Sequence, residues 1–295
     1  MFSFANGKAF IVGSGGDLGR AMALEYVKRG AVAVAVADVD EAGARETATL
    51  IERAGAKSVA LKCDVTDRAS LAAAVKSAEE FLGAIEICTN MVGVVLNGHI
   101  EDIPHSEWHR IFGINVFAAA ALIELVLPGM RARGRGYIAN TASVAGLHPF
   151  AYSRIPYAAS KAALISMTEN LAIYLKPKGI GVSCLCPGPT ATGVGGKMKT
   201  WTEGVPVVAP GRDYKLLTPQ HTARVFCDGM EAERSLVLAQ ENVTLSHMQR
   251  FATSPESYIM ERIGQLACGD TGRPTIDTSD AELAEILRGY AQHVR

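Results

Sequence analysis

Short, almost wholly apolar runs alternate with longer mixed runs along most of the chain. The apolar runs are predicted to be strands at residues 8–12, 31–37, 58–62, 85–89, 137–140, 180–186 and 236–239. Helical patterns fill most of the intervals, and later helices are predicted at 242–267 and from a capping box at Ser279 to about residue 292. Buried strands that alternate with helices predict an α/β fold: a doubly wound parallel sheet, Rossmann-like, with helices on both faces.

Two predicted helices are apolar on more than one side. Residues 106–131 carry a long apolar stretch, and residues 157–176 carry small and apolar side chains widely. One side of each helix can cover the sheet, and the other side needs a partner. We therefore expect a homo-oligomer that assembles through these two helices.

The charge is nearly balanced, with 29 basic and 30 acidic residues, so nothing indicates nucleic acid or an anionic membrane as a partner. The longest apolar stretch, residues 116–128, is too short to span a bilayer and contains Glu124. The cysteines form no C-x-x-C pair, and the first apolar run leads straight into a glycine-rich loop, which leaves no room for a signal peptide. These features predict a soluble, cytoplasmic protein.

The glycine-rich loop Gly13-Ser-Gly-Gly-Asp-Leu-Gly19 follows the first strand and precedes a helix. A helix N-terminus there offers unpaired N–H groups and a partial positive charge to a pyrophosphate. Asp38 ends the second strand, where a carboxylate can bind both ribose hydroxyls and repel a 2′-phosphate; a helix N-cap is the alternative role. The next residue, Val39, is not a cation, so NAD is favoured over NADP.

Tyr157 and Lys161 lie one helical turn apart and therefore share a helix face. An ammonium about 4 Å from a phenol can lower the phenol pKa from about 10 towards 7, which suits a general acid or base. Taken alone, this spacing is more often an ordinary exposed helix face.

An ordered series of motifs between residues 5 and 240 resembles the short-chain dehydrogenase/reductase family, and its longer members in particular. The motifs are the glycine loop, Cys63-Asp64-Val65, Asn90-Met-Val-Gly93, Asn115, Ser143 with Tyr157-x-x-x-Lys161, and Pro187-Gly188 with Thr192. The resemblance implies a cofactor site of Gly13, Ser14, Gly15, Asp17, Leu18, Gly19, Asp38, Asp64, Val65, Asn90, Gly93, Tyr157, Lys161, Pro187, Gly188, Thr190 and Thr192, and a catalytic set of Asn115, Ser143, Tyr157 and Lys161.

The resemblance also implies roles for the catalytic set. Ser143 would hydrogen-bond the substrate oxygen, Tyr157 would move its proton, and Lys161 would hold the nicotinamide ribose and lower the pKa of the tyrosine. Asn115 would position a water for proton relay, while hydride would pass between the substrate carbon and the nicotinamide.

Three positions depart from the family pattern. Asp17 replaces the usual middle glycine, Val12 replaces a threonine, and Met91-Val92 replaces Asn-Ala. The Asp17 carboxylate either caps the helix or weakens dinucleotide binding.

Other candidates each have two interpretations. His105 and His109 have a metal-site spacing but lack the H-E-x-x-H pattern, so no metal is expected. Cys184 and Cys186 are interpreted as core. His148 and Tyr152 either line a substrate pocket or pack in a loop, and Met198 and Trp201 either cover a bulky apolar substrate or make plain lid contacts.

We interpret residues 1–295 as a single dinucleotide-binding catalytic domain, with a substrate lid at 188–217 and a C-terminal helical extension at 240–295. The predicted activity is NAD-dependent interconversion of a secondary alcohol and a ketone, with a bulky apolar or aromatic substrate suggested by the apolar flanks of the motifs. A non-catalytic dinucleotide-binding or regulatory protein is the alternative, and an epimerase or dehydratase on the same scaffold fits less well.

Overall fold

A computed structural model describes residues 2–193, 196, 198–277 and 279–293 of the 295-residue chain. In chain order its strands are β1 (Lys8–Val12), β2 (Ala33–Asp38), β3 (Lys57–Lys62), β4 (Ile87–Asn90), β5 (Leu96–Asn97), β6 (Gly136–Thr141), β7 (Ile180–Cys186), β8 (Lys199–Thr200) and β9 (Leu236–Leu238). Seven of them form one parallel sheet in the order β3-β2-β1-β4-β6-β7-β9, and β5 pairs with β8. The predicted doubly wound α/β fold is confirmed.

Helices cover both faces of this sheet. The helices are α1 (Asp17–Lys28), α2 (Glu41–Arg53), α3 (Arg68–Leu82), α4 (His105–Phe112), α5 (Ala118–Arg133), α6 (Ile155–Leu175), α7 (Pro219–Glu231), α8 (Glu241–Thr253), α9 (Pro255–Ala267) and α10 (Ala281–His293). Side chains of α1, α2 and α7 share one buried cluster with the sheet, and those of α3, α5 and α6 share another.

The inner strands β1 and β2 are almost wholly apolar because both of their faces are buried, whereas the edge strand β3 is exposed at its two terminal lysines. In β1, Ala9 and Ile11 enter the first cluster, whereas Phe10 and Val12 enter the second. Successive side chains of a strand point to opposite faces, so a sheet between two helical layers needs apolar residues at every position.

The C-terminal extension differs from its prediction in two places. The helix expected at 242–267 is two helices, because Pro255 lacks an N–H and starts α9 directly after Ser254. The cap expected at Ser279 is provided by Asp280, whose carboxylate accepts the Leu283 N–H at 3.0 Å. The small β5–β8 pair was not predicted, since two-residue strands leave no periodic signal.

The helix expected at 106–131 is continuous from His105 to Arg133 but contains a π-helical turn at Gly113–Phe117. The run is long and apolar enough to cross a membrane by length and composition alone, and 44% of its most apolar 18-residue window is buried inside the protein. Its buried side packs on the sheet, whereas Phe117 is 61% exposed. Its packing is that of a core helix with one uncovered side.

Sheet order reverses between β1 and β4, since the chain first builds outward to β3 and then returns to the other side of β1. Ligands of such sheets bind outside the carboxyl ends of the strands at this reversal. The candidate residues lie at that edge.

Candidate active site

The glycine-rich loop joins β1 to α1 beside the end of β2. Gly13 has a φ of +86°, a conformation that other residues rarely adopt, and its N–H donates to the Ala37 carbonyl at 2.8 Å. A Cβ on Gly19 would lie 2.1 Å from the Gly13 carbonyl oxygen, so only glycine fits there. Ser14 is buried and its hydroxyl donates to Ala37, while Leu18 packs against the core. The loop therefore holds the N-terminus of α1 at the carboxyl edge of the sheet.

Asp38 lies at the end of β2 with its carboxylate against this loop. One oxygen accepts the Gly15 N–H at 2.8 Å, and the other accepts the Asp40 N–H at 2.9 Å. The cap of α2 is Asp40, whose side chain accepts from the Gly43 N–H. Asp38 is thus not the helix cap, and it lies half-buried where the resemblance expects a ribose.

Asp17 opens α1 and reaches towards the lid. Its Oδ2 accepts the Gly193 N–H at 2.7 Å, and the N-terminus of α1 has no side-chain cap. Of the two expectations for Asp17, capping is not observed. The carboxylate instead connects the glycine loop to the segment after β7.

Asn90 is buried at the end of β4. Its side-chain oxygen Oδ1 accepts the Val92 N–H at 3.0 Å, but its side-chain nitrogen Nδ2 has no hydrogen-bond partner in the described part of the chain. A buried donor left open at a cleft indicates that a ligand can satisfy it. After β3, the exposed Asp64 is engaged by the Thr66 backbone and hydroxyl at 2.9 and 2.7 Å, while Val65 packs against the core.

Asn115 is buried on the π-helical turn between α4 and α5. Its side chain exchanges two hydrogen bonds with the backbone of Val94, at 2.9 and 3.0 Å, and donates to the Ser160 hydroxyl at 2.9 Å. The extra residue of a π turn changes where the backbone groups point, and such turns are frequent at functional sites.

Lys161 lies in the first half of α6 and is buried beside Asn115. Its ammonium donates to the Thr141 carbonyl at 2.8 Å and lies 5.8 Å from the centre of the Tyr157 ring. A Cβ on Gly93 would lie 3.0 Å from this ammonium and 3.7 Å from Asn115 Oδ1. Gly93 therefore leaves the room in which the two polar groups approach the cleft.

Ser143 follows β6 and is buried, with its hydroxyl accepting the Ala145 N–H at 3.2 Å. The structure brings Ser143, Tyr157, Lys161 and Asn115 together at the carboxyl ends of β4 and β6. Four residues that are far apart in sequence thus form one cluster.

The pKa values in this cluster differ from the expectation. Burial raises the pKa of Tyr157 above its usual 10, and the nearby Ser143 hydroxyl opposes this shift only in part. Burial also lowers the pKa of Lys161 to about 8. The expected lowering of the Tyr157 pKa is therefore not observed, because desolvation of the phenolate exceeds its stabilisation by neighbouring groups.

The segment after β7 crosses the edge of the sheet. The Pro187 carbonyl accepts the Val144 N–H at 3.1 Å, which joins this segment to the Ser143 turn. The Thr190 hydroxyl donates to the Gly188 carbonyl at 3.2 Å, and Thr192 is half-buried. Residues 194, 195 and 197 of the predicted lid lie outside the described residues.

The later part of the lid is held against the β4–α4 and Ser143–α6 connections by side chains that donate to three of its carbonyls. The bonds are Asn97 Nδ2 to Val205 at 3.1 Å, Ser153 Oγ to Pro206 at 3.2 Å and Arg154 Nη2 to Val208. Trp201 packs against Leu96 and Ile103, which is the plain lid contact of its two interpretations; Met198 is half-buried.

A separate apolar cluster, away from the two that cover the sheet, lies against Tyr157 and includes residues of the C-terminal extension. Val243 and Leu266, from α8 and α9, pack on it together with Tyr157. Its buried members are Val144, Ala145, Phe150, Ala151, Val208 and Tyr214. An apolar wall therefore lies next to Tyr157, and the C-terminal extension contributes to it.

His148 belongs to a buried hydrogen-bond network behind this wall, so loop packing is the better of its two interpretations. Its ring bonds the Tyr214 hydroxyl at 3.1 Å and the Tyr258 hydroxyl at 3.0 Å. Tyr258 continues to His247 at 2.7 Å, and His247 to Asp213 at 2.9 Å. Sequence reasoning missed this network because no spacing relates residues that are so distant in the chain. Tyr152 is 39% exposed.

His105 and His109 face each other on α4 with their Nε2 atoms 3.1 Å apart. Within the described residues, His, Cys, Asp and Glu form no group of three or more that could hold a metal ion. Cys184 and Cys186 are buried in a core cluster with their sulfur atoms 4.0 Å apart.

The residues at this edge fit a nicotinamide dinucleotide. The loop and the N-terminus of α1 suit a pyrophosphate, Asp38 suits a ribose diol, and the open Asn90 amide and the Lys161 ammonium lie where polar groups of the second nucleoside are expected. The Asp17–Gly193 bond is the feature that fits least well.

Comparisons with known proteins identify the family of the chain. Residues 8–203 match the family model described as short chain dehydrogenase. Ketoacyl reductase HetN of Nostoc sp. is 33% identical over 188 residues, which cover 64% of this chain and 65% of that protein. The chain thus aligns with slightly less than two thirds of that relative. The 2-(S)-hydroxypropyl-CoM dehydrogenase 3 of Xanthobacter autotrophicus is 33% identical over 186 residues, covering 63% of this chain and 72% of the relative.

Among solved structures, a short chain dehydrogenase/reductase from Burkholderia phymatum in complex with NAD superposes with a TM-score of 0.75 and 28% identity, covering 87% of this chain and 96% of the other. Fold, site and family model agree over the same residues. The chain therefore belongs to the short chain dehydrogenase family of oxidoreductases.

Proposed function

We propose that this protein is an NAD-dependent oxidoreductase that interconverts a secondary alcohol and a ketone, with Asn115, Ser143, Tyr157 and Lys161 as its catalytic residues. The observation that carries the proposal is the convergence of these four residues at the sheet reversal, beside a glycine loop and an acidic strand end. The relatives named above include a reductase and a dehydrogenase, and the solved relative holds NAD.

Each residue has a role that its environment supports. When bound, the nicotinamide would exchange a hydride with the substrate carbon. Tyr157 keeps its proton at neutral pH because burial raises its pKa, so it is ready to donate to a ketone oxygen. Ser143 would hydrogen-bond the same oxygen, and Lys161 would bind the cofactor ribose from its position beside Gly93.

Asn115 would position a water for proton relay, as the resemblance to the family implies. The side-chain oxygen and nitrogen of Asn115 are bonded to Val94 and Ser160, so the side chain is fixed. These bonds hold the π turn at the inner end of the cleft, next to Lys161, where that water would lie.

NAD is favoured over NADP by the position of Asp38. Its carboxylate contacts the glycine loop, and a Cβ on Gly15 would lie 3.0 Å from its carboxyl carbon. A 2′-phosphate at that place would meet an anion, whereas a ribose diol would meet an acceptor.

A bulky apolar or aromatic substrate is proposed from the wall next to Tyr157. Leu147, Ala158 and Leu266 are partly exposed members of this wall, and Phe150 lies behind them. Good turnover of small polar alcohols together with poor turnover of every hydrophobic one would contradict this.

A homo-oligomer in the cytoplasm remains our proposal for the assembly. Phe117, on the turn before α5, is 61% exposed, and Ile173 on α6 is 77% exposed. Uncovered apolar residues on the two helices that also pack on the sheet favour a second copy as their partner. A solution mass equal to one chain would remove this proposal.

The test of the activity is oxidation of NADH and NADPH, followed in parallel by absorbance, with a panel of ketones. Tyr157→Phe should abolish turnover, because phenylalanine has no proton to donate. Tyr174→Phe is the matched control, since Tyr174 lies near the other end of α6 and is 46% exposed, and it should keep its activity. Full activity of Tyr157→Phe would overturn the proposed mechanism.

A non-catalytic dinucleotide-binding or regulatory protein is the second candidate, and the altered cofactor loop with its Asp17–Gly193 bond is the argument for it. A carboxylate in that place opposes a pyrophosphate, so the loop would bind the cofactor too weakly for turnover. Dinucleotide binding without turnover of any ketone or alcohol would select this candidate.

A further inference from the structure

Arg154 is a cation on the substrate side of the candidate site, and the proposed function gives this residue no role. It directly precedes α6, three residues before Tyr157, and its N–H donates to the Ala151 carbonyl at 2.8 Å. Its guanidinium lies 5.8 Å from the centre of the Phe150 ring. Phe150 and Tyr157 belong to the same apolar cluster, so the charge of Arg154 lies on the wall that a substrate would contact.

Arg154 is half-buried, and its guanidinium has few partners within the described part of the chain. Nη2 donates to the Val208 carbonyl, and Nε is buried without a hydrogen-bond partner. Among the described residues, no carboxylate lies within ion-pair distance of Arg154. A buried donor needs an acceptor and a partly buried cation favours an anion beside it, and Arg154 has neither for its Nε and its charge.

Other shielded arginines of this chain differ in this respect. Arg29 bonds the carboxylates of Glu25, Asp228 and Glu231. Arg262 also has a buried Nε without a partner, but its charge acts on the Asp270 carboxylate. For Arg154 the ionisable group that interacts with its charge is Tyr157, the proposed proton donor.

Holding the lid does not explain the charge. Asn97 and Ser153 bond lid carbonyls with neutral side chains at 3.1 and 3.2 Å, beside the bond that Arg154 makes. An amide or hydroxyl is therefore sufficient for that contact. A guanidinium differs from them in its charge and in the planar fork of donors, which matches a carboxylate, sulfonate or phosphate.

We propose that Arg154 binds an anionic group of the substrate and thereby places the reacting carbon against Tyr157. This rests on the proposed function and narrows its substrate class to hydroxy and keto compounds that carry a carboxylate, sulfonate or phosphate. The guanidinium lies against the Phe150 ring, and Phe150 and Tyr157 belong to one apolar cluster, so the anion is expected only a few bonds from the reacting carbon. The apolar body of the substrate packs on Phe150 and its neighbours.

The test compares each aryl-substituted 2-oxo and 3-oxo acid with its own methyl ester, which has the same body and no charge. Sulfonate and phosphonate analogues of the preferred acid identify the anion. Wild-type kcat/KM should be at least about tenfold higher for the acid than for the ester. Arg154→Gln should lower kcat/KM for the acid at least tenfold, mainly through KM, and should change that for the ester less than threefold.

Two further variants make the test decisive. Arg154→Lys keeps the charge without the fork, so it should recover part of the acid preference, and it replaces Arg154→Gln if the latter does not fold. Arg53→Gln, at an exposed position at the end of α2, should behave as wild type. Equal losses on acid and ester, or a wild type that prefers the ester, would overturn the proposal.

Failure of the proposed function gives a different pattern. If the wild type reduces neither acids nor esters, the activity is wrong, and the anion site is then tested by calorimetric binding of the same oxo acids. Binding that Arg154→Gln weakens at least tenfold would support the site, and binding that it leaves unchanged, or no binding to the wild type, would overturn it.

Discussion

Lys161→Met should abolish activity and yet stabilise the protein at neutral pH. Burial lowers the pKa of Lys161 from 10.5 to about 8, which means that the folded state binds this proton about 3 kcal/mol less tightly than the unfolded state does. Methionine has a similar volume and no charge to desolvate. Its cost is the lost charge-assisted bond to the Thr141 carbonyl, which is worth about 1.5–3 kcal/mol. The net expectation is a gain of up to about 1.5 kcal/mol in unfolding free energy at pH 7.

The pH dependence tests the sign of this argument. A lysine whose folded-state pKa is depressed makes the unfolded state bind more protons between pH 8 and 10.5, so the stability of the wild type rises with pH in that window. Lys161→Met lacks this rise. Its advantage over the wild type should therefore be largest at pH 7 and should have disappeared by about pH 10.5.

The assay is urea unfolding, followed by circular dichroism at pH 7 and pH 10. Lys76→Met is the control, because Lys76 is 81% exposed and its replacement should change the unfolding free energy by less than about 0.5 kcal/mol. A Lys161→Met protein that is less stable than the wild type at pH 7, or a difference that does not depend on pH, would refute the reasoning.

Three further predictions concern single residues. Asp17→Gly removes a carboxylate and frees the Gly193 N–H, so NADH should bind about five- to tenfold more tightly in a fluorescence titration. Asp17→Asn removes the charge and keeps a hydrogen-bonding side chain, so it separates the two effects. Weaker binding of NADH by both variants would contradict this prediction. Gly93→Ala places a Cβ 3.0 Å from the Lys161 ammonium and should lower kcat/KM at least about tenfold without loss of folding; an unchanged kcat/KM would contradict it. Burial lowers the pKa of His148 to about 3, so the unfolded state binds more protons below pH 6.5, and the stability of the protein falls as the pH drops from 6.5 towards 3. His148→Gln should reduce this loss of unfolding free energy by at most about 5 kcal/mol, measured by urea unfolding. An unchanged dependence of stability on pH would argue against this.

The sequence predicts the buried strands well, because burial on both faces requires apolar residues throughout such a strand. The predicted strands 8–12 and 180–186 match the structure at both ends, because each lies between glycine or proline residues. The π turn could not be predicted, since its extra residue leaves the apolar pattern of residues 106–131 unchanged. The break at Ser254 could have been found from Pro255.

At the site, the sequence was sufficient for positions and insufficient for partners. The resemblance to the family predicted that Ser143 and Tyr157 lie in one site, and the structure places them close together. The partner of Asp17 could not be predicted, as Gly193 is 176 residues away and no periodicity relates the two. Arg154 was overlooked for the same reason: its lack of a counter-ion is visible only when its neighbours in space are known.

The protonation state of Tyr157 cannot be predicted from its spacing to Lys161 alone. A cation one turn away attracts the phenolate, but burial of the phenol and of the ammonium disfavours both charges, and burial is the larger effect for each group. Tyr157 should therefore remain protonated through pH 9, while Lys161 loses its proton near pH 8. Spectrophotometric titration at the phenolate absorption band, taken as the difference between wild type and Tyr157→Phe, measures this residue alone because the other tyrosines cancel. A phenolate that appears near pH 7 would show that the cation dominates. Its absence below pH 9, with a ketone-reduction rate that declines through about pH 8, would assign the alkaline limb to Lys161 and leave Tyr157 as the proton donor.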